Sequence, residues 1–169
     1  MSLSQALLPE YDQEMAKTRT VLERVPADRF GWKPHEKSFS FLELSNHIAR
    51  LPGWGSATVE MESLDLAPDG GQYEPPPPAE SPEGVLELFD ETAAAFRTAL
   101  EGADDATLMQ PWTLYSGGEE LFTLPRMAVL RGMILNHIIH HRAQLAVYLR
   151  LSDIPVPAIY GPSADEGMG

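Results

Sequence analysis

Apolar positions recur at helical spacing along four stretches of the chain, and a short stretch of β-type patterning separates the third from the fourth. Residues 4–24 place Leu8, Tyr11, Met15, Leu22 and Val25 near one stripe, with Glu10, Asp12 and Glu14 early, where a helix dipole favours anions. Pro9 suits a first-turn position, which predicts that the regular helix starts there; Pro26 ends it. Ser40-Phe41-Leu42-Glu43 has the form of a capping box and opens a second helix, one side of which holds Leu44, His47, Leu51 and Trp54. Pro52-Gly53 predicts a kink just after the histidine, with the pattern resuming to about Leu64. Ser81-Pro82-Glu83 opens a third helix on the stripe Val85, Leu88, Phe89, Ala93, Phe96 and Leu100, closed by Gly102. Residues Trp112 to Thr123 read as a hairpin whose two β-prone arms flank Gly117-Gly118. Thr123 or a neighbour then caps the fourth helix, with Pro125 in its first turn. That helix runs to about Leu151, where Asp153-Ile154-Pro155-Val156-Pro157 stops it.

These elements predict an all-α fold, a four-helix bundle with a small β-hairpin between helices 3 and 4. The connection from Asp65 to Glu80, with Gly70-Gly71 and four consecutive prolines from Pro75 to Pro78, has the composition of a linker. Too little chain lies on either side for two cores, so it is expected to cross the surface of one domain spanning residues 1–169. Residues 158–169 are expected to form a tail, from which Tyr160 tucks back. Trp32, in the irregular stretch from Ala27 to Phe39, is expected to be a packing anchor.

Composition narrows the function classes. The chain has 169 residues, enough for a substantial core, and no cysteine, which removes disulfides, thiolate ligands and a cysteine nucleophile. A net charge of −13 argues against nucleic acid as a partner, because phosphate binding needs clustered Lys and Arg. No basic start leads into an apolar run and no segment reaches membrane-spanning length, so a soluble cytoplasmic protein without a membrane partner is expected.

The candidate chemistry lies in Asn136-His137-Ile138-Ile139-His140-His141-Arg142-Ala143-Gln144. His137 and His141 are one helical turn apart, their Cβ atoms about 5–6 Å from one another, on a face expected to carry Leu130, Ile134, Leu145 and Tyr148 as well. With His47 they are the histidines that fall on core-facing stripes, and three neutral imidazoles around a divalent metal leave a position open for water or substrate. Zinc or nickel suits nitrogen ligands, although ligand type alone leaves iron, manganese and copper open. The competing arrangement is a set of buried histidines satisfied by carbonyls, carboxylates or one another. His140 lies about 100° round the helix from the other two, at a flank where it would support a ligand or an interface. Gln144, one turn beyond His141, is placed to orient a ligand or a bound molecule. Trp54, Met133 and Tyr148 are candidates for the pocket wall, with plain core packing as the alternative. His35 is expected to be structural or exposed.

The position after His137 is Ile138 rather than the Glu of a zinc-protease motif, and inward carboxylates are scarce, so a base for hydrolysis is poorly supplied. An uncharged three-histidine site keeps the cation's full charge for an anionic ligand such as a thiolate. That thiol would be a small cosubstrate. The expected function is therefore thiol-dependent S-transfer to a small electrophile. The alternatives are a metal-dependent hydrolase and a non-catalytic metal- or ligand-binding bundle, the latter pairing through Leu135, Ile138, Ile139 and Val147 of the fourth helix.

Trp32-Lys33-Pro34, Ser45-Asn46-His47-Ile48-Ala49, the residues 136–144 quoted above and the tail from Ile154 to Ser163 together resemble the DinB/YfiT-like superfamily of metal-dependent four-helix-bundle proteins, over nearly the whole length. The resemblance implies a metal triad at His47, His137 and His141, zinc or nickel as the ion, homodimers, and transferase or isomerase chemistry with low-molecular-weight bacterial thiols. Ala143 departs from the pattern, where Gly is common, and should alter packing more than chemistry.

Overall fold

In a computed structural model, residues 1–68 and 76–167 are described; Gly70-Gly71 and Pro75 fall outside them. Helix α1 spans Leu3–Leu22 and begins well before Pro9. The Ser2 hydroxyl accepts from the Gln5 amide, and the Gln5 side chain accepts from the Ser2 amide, at 3.2 and 3.0 Å. This reciprocal cap satisfies two donors that would otherwise be orphaned, so the helix nucleates upstream and carries Pro9 inside it. A single 3₁₀ turn, Ala27–Arg29, follows.

Helix α2 (Phe41–Glu60) opens on the expected capping box of Ser40 and Glu43. Pro52 lies within it and does not end it. Leu64, placed by the periodicity at the helix end, belongs instead to strand β1 (Ser63–Asp65). At Gly55 the close approach of the next helix requires glycine, since a Cβ there would come within 2.5 Å of the Phe96 ring. Helix α3 (Pro82–Gly102) starts as expected at the Ser81 cap with proline in the first turn. A short helix α4 (Asp105–Met109) that the pattern did not announce follows, capped by Asp104.

The expected hairpin is strands β2 (Pro111–Ser116) and β3 (Glu119–Pro125), antiparallel around Gly117 and Gly118, whose φ angles of +62° and +80° favour glycine. It is one edge of a three-stranded sheet, because β1 adds to β2 in parallel register. The Asp65 carboxylate holds that addition by accepting from the Gly117 and Gly118 amides at 2.9 and 2.8 Å. Thr123 lies in β3, where its hydroxyl meets Thr113 at 2.8 Å, and does not cap the next helix. Pro125 precedes that helix, which starts without a side-chain cap at α5 (Arg126–Val129). It continues through a π-helical segment (Leu130–Leu135) into α6 (Asn136–Leu151).

The fold is mainly helical with a small sheet. Helix α1 packs against α3 and α6, and α2 against the same two, around Tyr11, Phe41, Phe89, Phe96, Leu130 and Ile138. Trp32 joins this core, its ring centroid 5.4 Å from Phe41 and 5.6 Å from Tyr148, as an anchor should. Leu135 and Ile138 are fully buried in it, so they cannot belong to an outward pairing face, whereas Val147 is exposed. Arg126, also buried, donates to the Thr58 and Met61 carbonyls at the end of α2. Arg142 is 2% exposed and forms a 2.7 Å ion pair with Glu14 of α1. The tail closes over this pair: the Tyr160 hydroxyl donates to Glu14 and accepts from Arg142. Among the described residues no helix is long and apolar enough to cross a membrane.

Candidate metal centre

Three histidines from two helices meet beside the core. His47 comes from α2, His137 and His141 from consecutive turns of α6, and one ring nitrogen from each lies within 4.8 Å of the others. Ring centroids are 5.0 Å apart for His47 and His137, 4.5 Å for His47 and His141, and 4.6 Å for His137 and His141. The Nε2 atoms of His47 and His137 are 3.3 Å apart. Two nitrogens at about 2.0–2.1 Å from a tetrahedral ion are separated by about 3.3–3.4 Å, so this pair is already at ligand spacing. The same spacing serves a direct hydrogen bond between the two rings when no ion is held.

Hydrogen bonds on the outer sides of the rings select the tautomers. His141 Nδ1 donates to Gln144 Oε1 at 2.7 Å, which leaves its Nε2 with a free lone pair. The His137 ring donates to the Met133 backbone carbonyl. Its Nε2 faces His47, so the proton on Nδ1 makes that bond and Nε2 is again bare. Burial lowers the pKa of all three rings. For His47 burial is joined by the neighbouring His141, His137 and Arg50, and the value falls to about 4. The rings are thus neutral near pH 7, the state a cation requires of its ligands. The donor set fits a divalent metal of nitrogen preference.

His47 and His137 open on a cavity of about 420 Å³ whose walls also include Phe39, Leu51, Trp54 and Arg50. Helix α2 lines it with Glu43, Asn46, His47, Arg50 and Trp54, a face beside its buried stripe. The Asn46 side chain accepts from the Ala79 amide at 2.8 Å and donates to the Ala79 carbonyl at 3.0 Å. Arg50 Nη2 donates to the carbonyls of Pro76 and Pro77 at 2.8 and 2.6 Å. These two residues hold the proline-rich segment over the cavity. Glu43 accepts from the Ser40 amide and hydroxyl, which keeps its carboxyl below the usual range.

The sequence-derived candidates separate accordingly. Trp54 lines the cavity and Gln144 touches a triad ring. His140 is exposed, its ring centroid 4.9 Å from that of His141. Tyr148 is not on the wall of this cavity; it packs on Trp32 and Phe41, and its hydroxyl donates to the Phe39 carbonyl. The Met133 side chain is 44% exposed and is not on that wall either, its backbone carbonyl being what reaches the site. Asn46 and Arg50 went unrecognised, although spacings of one residue before and three after His47 put them on the same flank of a helix. His35 is exposed in its loop, as expected.

The sequence profile of the DinB superfamily matches residues 10–145 of this chain. The chain belongs to the DinB superfamily. The fold agrees: a DinB-like protein from Bacillus cereus superposes with a TM-score of 0.70 at 19% identity, covering 92% of this chain and 97% of the other. A DinB-like protein from Bacillus subtilis superposes with a TM-score of 0.67 at 18% identity, covering 96% and 99%. No curated protein sequence matches this DinB superfamily member.

Proposed function

We propose that His47, His137 and His141 bind a divalent metal, zinc or nickel, and that the protein is a thiol-dependent S-transferase acting on a small electrophile. The observation that carries this reading is the convergence of three neutral imidazoles, with one nitrogen of each within 4.8 Å of the others and two of the rings on the wall of a cavity. A bound divalent cation would supply the positive charge that keeps a thiol ionised as its nucleophilic thiolate at neutral pH. The chain has no cysteine, so the thiol enters as a cosubstrate. His47, held neutral by burial, contributes a lone pair without competing for the thiol proton. Phe39, Leu51 and Trp54 would give the reacting atoms apolar walls. The cosubstrate sulfur forms the new S–C bond as the electrophile's leaving group departs with the bonding pair. Hydrolysis is disfavoured because Glu43, an acid on the cavity wall, is committed to capping α2.

The four long helices are read as the bundle, with the β2–β3 hairpin inserted before the last. The working form is proposed as a cytoplasmic homodimer. Metal analysis of purified protein, followed by conjugation of model electrophiles with several thiols, tests the proposal. His47→Ala and His137→Ala should each abolish stoichiometric metal, and His140→Ala should retain it. Metal retained with no turnover under any thiol would favour a non-catalytic binding role. Loss of metal on His140→Ala would displace the ligand assignment.

A further inference from the structure

A second cavity of about 490 Å³ adjoins the first, and Arg50, Trp54 and Pro76 line both. Its remaining walls are mostly apolar, with Ala57, Leu64, Leu66 and Leu88 prominent. The shared wall carries a cation. Two hydrogen bonds engage Nη2 of Arg50, and among the described residues no carboxylate lies within ion-pair distance of its guanidinium. An arginine offers five N–H donors, so among the described residues Nε and Nη1 keep theirs for another partner. Among the described residues two acids line the cavities, Glu43 and Asp65, and both are occupied. Glu43 accepts from Ser40, and Asp65 accepts from the amides of Ala67, Gly117 and Gly118. The carbonyls of Pro76 and Pro77 hold the guanidinium in place, which lowers the entropic cost of binding an anion.

We infer that the substrate is an organic anion with an extended apolar body, its carboxylate paired with Arg50 and its apolar part housed in the second cavity behind Trp54. This deepens the S-transferase reading and rests on it: the electrophilic centre would lie on the His47 side of Arg50, with the apolar tail directed away. The second chamber is within the size range of small-molecule sites, and its walls suit an alkyl or aryl group. Arg50 is therefore a specificity-determining residue: it sorts substrates by charge, and the chamber sorts them by length.

Calorimetric titration of the full chain with decanoate, decanol and acetate tests this, on chelator-treated and on zinc-loaded protein. Decanoate should bind both forms, and more tightly than decanol or acetate. Arg50→Gln should weaken decanoate about tenfold or more and decanol by much less, and Arg50→Lys should restore most of the loss. Ala57→Trp, which fills the second chamber without touching Arg50, should weaken decanoate and leave acetate unaffected. Decanoate binding that survives both Arg50→Gln and Ala57→Trp overturns the inference, as does binding that appears only with zinc and vanishes in His47→Ala. Should the protein take up no zinc yet show these dependences on Arg50 and Ala57, the metal reading falls and the ligand class stands. Stoichiometric zinc without Arg50-dependent binding has the opposite meaning.

Discussion

The contact between His141 and Gln144 gives the metal proposal a graded test. Gln144 is exposed, yet its Oε1 accepts from His141 Nδ1 at 2.7 Å and so fixes both the tautomer and the ring orientation. Gln144→Leu removes that acceptor and leaves an apolar side chain one atom shorter. A neutral hydrogen bond contributes about 0.5–1.5 kcal/mol net, which at about 1.4 kcal/mol per decade is roughly two- to twelvefold in affinity. Partners of this kind in enclosed sites are worth about 10–100-fold; water can replace an exposed one, so the expected loss is the smaller, three- to tenfold on the order of magnitude. Gln144→Glu should hold the ring at least as firmly, since a carboxylate is the stronger acceptor. Zinc affinity would be read by competition with a chromophoric chelator at pH 7.5, with thermal melts to confirm folding. An affinity within twofold of the parent for Gln144→Leu would refute the orienting role. So would weakening in Gln144→Glu as large as in Gln144→Leu.

Three further outcomes follow from the structure. The depressed histidine pKa values mean that the unfolded chain binds more protons than the folded one below about pH 6.5, so their contribution to stability is present above that value. Urea melts of metal-free protein should show stability falling as pH drops from 6.5 toward 4, and falling less in His47→Gln; an equal slope would contradict the assignment. Gly55→Ala should destabilise by about 1–2 kcal/mol, because a Cβ within 2.5 Å of the Phe96 ring overpacks a fully buried contact by more than helix propensity returns; denaturant midpoints would show it. Arg142→Met strands the Glu14 carboxylate in the interior and should cost about 3–5 kcal/mol in the same assay, with part recovered when Glu14→Gln is added.

What could be read from the sequence was local. The Ser40–Glu43 box, the Ser81-Pro82 cap, the Gly117-Gly118 turn and the stop after Leu151 each depend on neighbours a few residues apart, and each stands where the pattern put it. The histidines were legible because helical spacing pairs His137 with His141, and a polar ring beside apolar residues marks His47. Features made by distant contacts were not. Strand β1 is three residues long and depends on Asp65 reaching the hairpin turn. The grip of Asn46 and Arg50 on residues 76–79 joins segments about thirty residues apart, with no periodic signal to announce it. Pro9 misled for the opposite reason: a local rule about proline lost to a stronger local cap at Ser2.

The π-helical segment explains why the face read from sequence differs from the face that forms. In an unbroken α-helix Leu130, His137, His141 and Tyr148 would share one side. A π turn takes one more residue than an α turn, which rotates the residues before it by about 100° relative to those after it. The Asn136 amide accordingly reaches back five residues to the Arg131 carbonyl. Leu130 and Ile134 therefore join Ile138, Arg142, Leu145 and Leu149 in the core, and His137 and His141 turn to its flank, half-buried against α2 and the cavity. A straight helix would have driven both imidazoles into the packed interior, where desolvation penalises them and no substrate could reach them. The register change keeps the core apolar and leaves the histidines neutral but reachable. The fold thereby keeps a buried apolar stripe and two half-buried imidazoles on one helix, with the π segment dividing the two.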